Sequence, residues 1–151
     1  KVTKLQLQFM TFYLNLNMIN YYKGKNNPRV IVIQKLYGTY FNKDENLTFP
    51  KHRFKKFIKD VVNGTVERDE VINEEIKKHL DKDLNMKQID KVFQIIIKSA
   101  IFEFLYKPKT SINIIIKEYL KASNYFIEDS QTKYLNALLD KISKKIRISN
   151  G

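Results

Sequence analysis

NMKQIDKVFQIIIKSAIFEFLYK, from Asn85 to Lys107, is the most apolar long segment of the chain and sets its architecture. Ile89, Val92, Phe93, Ile96, Ala100, Ile101 and Phe104 recur at steps of three and four, the spacing of one helical face. Ile95, Ile97, Phe102 and Leu105 add apolar surface on other sides. A helix that is apolar nearly all round must be enclosed by protein. Asn85 followed by Gln88 reads as a capping box at its start. Pro108 stops it, because proline clashes with the preceding turn and disfavours a helical Lys107. The expectation is a central rod of roughly 34 Å against which the other helices pack.

Shorter amphipathic segments flank this rod. Asn27-Pro28 reads as N-cap and first helical residue of a helix to about Asn42, with Val30, Ile33, Leu36, Tyr37, Tyr40 and Phe41 apolar. NKDENLT is a polar loop, and Thr48-Phe49-Pro50 opens a helix to about Asn63 with Phe54, Phe57, Ile58, Val61 and Val62 inward. Gly64 is read as a break or as a close contact. Glu67 to Leu80 forms the next helix, its acids early and its cations late, with Val71, Ile72, Ile76 and Leu80 inward. After the rod, Thr110 or Ser111 caps a helix to about Ser123. Ser130 caps the last one, with Leu135, Leu138, Leu139, Ile142 and Ile146 at helical spacing. With 4 Gly and 3 Pro in 151 residues, the fold class is all-α.

Composition narrows the chemistry. No Cys is present, which excludes a disulfide framework, a cysteine nucleophile and thiolate metal sites, and suits a reducing cytoplasm. His52 and His79 stand apart, without a second ligand at metal spacing. No glycine-rich phosphate loop follows a strand, and no nucleophile elbow occurs. The expectation is a protein that is not an enzyme and needs no cofactor. The charge points elsewhere: 28 Lys+Arg against 16 Asp+Glu give +12, a field that attracts a polyanion, nucleic acid first and an anionic membrane surface second. No run of about 18 apolar residues exists to cross a bilayer. KHRFKKFIK interleaves cations with aromatics, although Phe54 and Phe57 read as core. Tyr37, Tyr40 and Tyr134 are candidates to stack on unpaired bases or to pack in grooves. Residues 1–20, with Met18 just before the convincing part, read as a weakly packed extension, and residues 21–148 as one domain.

In order along the chain, several segments resemble the transcription antitermination factor NusB family. Val32-Ile33-Gln34-Lys35-Leu36-Tyr37 is similar to that family's A-V-Q-A-L-Y, and Phe57 to Thr65 to its F-x-x-x-L-V-x-G-V. Ile101 to Leu105 stands at Y-E-L-L, and Ile116-Lys117-Glu118-Tyr119 at I-N-E-A. Glu128-Asp129-Ser130 with Tyr134 to Lys141 stands at E-D-S…F-V-N-G-V-L-D-K, the most specific of the five. The chain departs from the pattern at Lys117 and Ala137, in a shorter loop before Glu128, and in an arginine-rich N-terminus reduced to Lys23, Lys25 and Arg29.

The resemblance implies two orthogonal three-helix bundles sharing the long central helix. It implies a bacterial RNA-binding antitermination factor that pairs with ribosomal protein NusE on single-stranded boxA RNA of ribosomal RNA transcripts, in a complex with RNA polymerase and other Nus factors. It makes Lys23, Lys25, Arg29, Gln34, Lys35, Asp129 and Tyr134 RNA-binding candidates, and places NusE near Tyr37 and Glu103. Some members self-associate, so a homodimer stays open. Two other readings stand beside it. One is the NusB-like domain of a ribosomal RNA cytosine methyltransferase, whose α/β cofactor domain is not in these 151 residues. The other is a basic helical scaffold that binds only protein.

Overall fold

The computed structural model describes Gly24, residues 26–41 and residues 47–149; Lys23, Lys25, the expected extension at residues 1–20 and most of the polar loop after the first helix lie outside the described residues. Six helices and no strand occur among them: α1 (Pro28–Phe41), α2 (Lys55–Glu67), α3 (Asp69–Leu80), α4 (Lys91–Tyr106), α5 (Ile112–Ser123) and α6 (Asp129–Ser149). No helix among them is long and apolar enough to cross a membrane.

The apolar stretch does become the centre. Helix α4 touches all five others, and Ile96, Ile97, Ala100 and Ile101 on it are inaccessible to solvent. Helices α1, α2 and α4 pack mutually, as do α4, α5 and α6, while α3 lies against α4 and α6. One core therefore runs through both groups, from Val30, Ile33 and Val61 to Leu135, Leu139 and Ile142.

The rod is shorter than its periodicity suggests: 16 residues, roughly 24 Å at the helical rise. Asn85 does not cap it. Its side-chain oxygen accepts from the Lys87 N–H at 3.1 Å, and the Gln88 N–H bonds the Asn85 carbonyl at 3.0 Å, so the segment closes into a turn that competes with the helix. The Gln94 side chain pins this turn by donating to the Met86 and Ile89 carbonyls at 2.6 and 3.1 Å. Asp90 is the N-cap instead.

Helix α2 also starts late, at Lys55 rather than Pro50, because a local turn comes first. The Phe54 N–H donates to His52 Nδ1 at 2.9 Å, and the Lys55 N–H to the His52 carbonyl at 3.1 Å. The helix then runs through Gly64, the close-contact alternative: a Cβ there would lie 2.2 Å from the Phe102 ring. Phe54 and Val71, expected inward, are exposed. Ser111 caps α5, accepting from the Ile114 N–H at 3.3 Å. Ser130 does not cap α6, which begins one residue earlier. There Gln131 reaches back to the Glu128 N–H at 3.2 Å, and the Glu128 carbonyl accepts from the Thr132 N–H at 2.9 Å. This places Glu128 at the cap and Gln131 three residues on, half of a capping box. Near the far end of α6, Arg147 donates to the Phe104, Lys107, Pro108 and Thr110 carbonyls, which satisfies the backbone where α4 ends.

Candidate nucleic-acid interface

The first turn of α4 joins the end of α1 to the first third of α6. On one side Lys91 Nζ lies 4.4 Å from the centre of the Tyr40 ring. On the other, Phe93 stacks on Tyr134, with ring centres 5.6 Å apart and planes 17° apart. The Tyr134 hydroxyl donates to the Asp83 carbonyl, and Lys141 pairs with the Asp83 carboxylate. These bonds fix the α3–α4 loop against α6. Tyr40 is 46% exposed and Tyr134 41%, so each ring is anchored by a neighbour yet still faces solvent. Anchored, half-exposed aromatics beside cations are what unpaired bases stack on.

Other candidates lie differently. Asp129 is exposed in the first turn of α6, where its charge suits the helix dipole. Gln34 and Lys35 are half-buried midway along α1, and the Gln34 amide nitrogen is buried without a hydrogen-bond partner among the described residues. Tyr37 is 2% exposed. Burial, then the neighbouring Tyr40 and Asp90, push its hydroxyl above the usual tyrosine range.

Arg29 and Glu103, expected on two different contact surfaces, pair with each other inside the protein. Arg29 Nε and Nη2 donate to the two Glu103 carboxylate oxygens at 2.9 and 2.6 Å, and Glu103 is 0% exposed. Burial alone would lower the guanidinium pKa; the hydrogen bond and charge of Glu103 outweigh it, and the net direction is upward. The guanidinium also lies over Phe57 at 4.8 Å and Tyr119 at 5.3 Å. Burial, and then the Glu103 charge, push the Tyr119 hydroxyl well above its ordinary value. One ion pair thus ties α1, α2, α4 and α5 together. Neither partner nor Tyr37 offers more than a sliver of surface.

Phe93 is a core residue, as its spacing predicts; its stacking on Tyr134, like the contacts of Lys91 and Asp83, joins residues far apart in the chain, which helical spacing does not report.

The chain is 29% identical over 139 residues to the transcription antitermination protein NusB of Coxiella burnetii (strain Dugway 5J108-111), covering 86% of this chain and 98% of that protein. It is 28% identical over 89 residues to the protein of that name from Lysinibacillus sphaericus, covering 59% of this chain and 69% of that one. Against the one from Mesorhizobium japonicum it is 24% identical over 92 residues, 61% of this chain, and spans only 59% of that relative's length. No solved structure matches the chain. The NusB family model matches residues 25–144, most of the 151 residues, and the chain belongs to the NusB family.

Proposed function

We propose that the chain is an RNA-binding transcription antitermination factor that pairs with ribosomal protein NusE on the single-stranded boxA element of nascent transcripts, within a complex of RNA polymerase and other Nus factors. The observation that carries this reading is the pair of anchored, half-exposed tyrosines flanking the start of α4 on a chain of charge +12. Family membership and the names of the relatives support it. In this reading Tyr40 and Tyr134 stack on bases, and Lys35, Lys91 and the chain's Lys23 and Lys25 hold phosphates. Asp129 accepts from an exocyclic amine, as carboxylates do from cytosine. Gln34, half-buried next to Lys35 on α1, adds its amide to this set. Arg29, Tyr37 and Glu103 hold that face in shape, and NusE meets the surface they support. The RNA affinity of the free chain is weak and that of the pair tighter, since both proteins share one strand.

Filter binding with boxA and scrambled RNA, with and without NusE, tests the proposal. The expected result is a preference for boxA that strengthens when NusE is added, and a log–log salt slope that loses about 0.7 units in Lys35→Ala. Equal retention of both RNAs with NusE present would refute it.

A further inference from the structure

The segment Lys51 to Lys59, KHRFKKFIK, carries five Lys and Arg and no acid, and the function proposed above does not use it. Its aromatic residues part company. Phe57, Ile58, Val61 and Val62 serve the core, whereas Phe54 is 45% exposed. The turn at His52 causes this difference, because it holds Phe54 at the N-cap, ahead of the helical register of its neighbours. The ring is steadied by the Arg53 guanidinium 5.4 Å from its centre and the His52 ring at 5.9 Å. Around it Lys51, Arg53, Lys55 and Lys59 make no ion pair among the described residues. Lys56 reaches Asp60 only at 4.0 Å, with its side chain 94% exposed.

We propose that the start of α2 is a second contact for single-stranded RNA, in which Phe54 is a stacking platform for a base and Lys51, Arg53, Lys55 and Lys56 hold the flanking phosphates. An exposed aromatic set among cations of which only Lys56 approaches an acid within the described residues matches a strand whose bases are unpaired and whose backbone is anionic. Duplex RNA hides its base faces, and an acidic protein has none. The position extends the surface described above. Phe57 under Arg29 and Lys107 3.4 Å from Asp60 put the start of α2 near the C-terminal end of α4, while Tyr40 and Tyr134 flank the opposite end. A strand held at both sites runs along the molecule. The inference rests on the RNA-binding reading.

The chain has no Trp, so Phe54→Trp in the full chain is a single indole probe at the platform. Titration with oligouridine quenches it, whereas a duplex of the same length or polyglutamate, which has charge but no bases, leaves it largely unchanged. Phe54→Ala weakens oligouridine binding about 10-fold, in line with roughly 1–3 kcal/mol per stacked base. Lys55→Gln with Lys56→Gln lowers the salt slope by about 1.4 units. An indole untouched by oligouridine, or quenched equally by polyglutamate, overturns the platform. So does a Phe54→Ala chain that binds as tightly as the parent while Tyr134→Ala weakens binding, and in that case the RNA-binding reading survives. A parent chain that binds no RNA overturns both.

Discussion

Removing either charge of the Arg29–Glu103 pair leaves the other stranded in the interior, because the Glu103 side chain is fully buried and that of Arg29 is 9% exposed. Breaking a buried, bidentate pair from one side costs about 3–5 kcal/mol, while replacing both partners with apolar residues is often close to neutral. Glu103→Lys and Arg29→Ala are therefore expected to lose about that much stability in urea denaturation, and Arg29→Met with Glu103→Leu to recover most of it. Single variants that lose under about 1 kcal/mol would show the pair to be dispensable. The two residues lie 74 positions apart, so no local pattern reveals that they meet; in the sequence each is just a charge on a helix. Tyr119, beside them, gives a pH signature. Its raised pKa in the folded state means that folding favours the neutral hydroxyl. That contribution is fully present below about pH 10, where an unfolded tyrosine titrates, and is lost as pH rises further. The denaturation midpoint of the parent should thus fall more steeply above about pH 10 than that of Tyr119→Phe. Parallel curves would contradict the assignment.

Helical spacing reported the elements well wherever one face is buried along its whole length. It located α6 and the inward set Leu135, Leu138, Leu139, Ile142 and Ile146, all buried. It failed at helix starts, where a side chain that bonds its own backbone sets up a turn before the helix, as Asn85 and His52 do. The same residue types suit a cap and a turn, so composition does not separate them. Gly64 shows the opposite case, a residue that looks like a breaker but sits inside α2 because Phe102 of α4 fills the space a side chain would take. Gly64→Ala gains up to about 1 kcal/mol of helix propensity, yet it pushes the Phe102 ring, which packs against Tyr106 at 5.1 Å. Overpacking of this kind costs about 1–3 kcal/mol, so a net loss of stability is expected, and Phe102→Leu in the same chain should relieve it. Calorimetry on the three proteins would decide; a Gly64→Ala chain more stable than the parent would mean that α2 and α4 have room to part.

At the scale of the whole molecule, α4 has two ends with different tasks. Its C-terminal end is locked by Arg29–Glu103 and by Arg147 on the backbone carbonyls. Its start holds the aromatic residues that stay half in solvent. A single sequence revealed the rod, the excess of 12 positive charges and the family likeness, all of which are local or summed properties. It did not reveal which charged and aromatic residues face outward, because that follows from how the helices meet: Phe54 turned out exposed, Arg29 and Glu103 buried. Hydrogen exchange of the full chain, alone and with NusE and boxA RNA, reads the contact face directly. Slower exchange is expected in residues 34–40, 83–93 and 129–134 when RNA is added to the pair, with scrambled RNA giving less. Binding that leaves those three segments unchanged would contradict it.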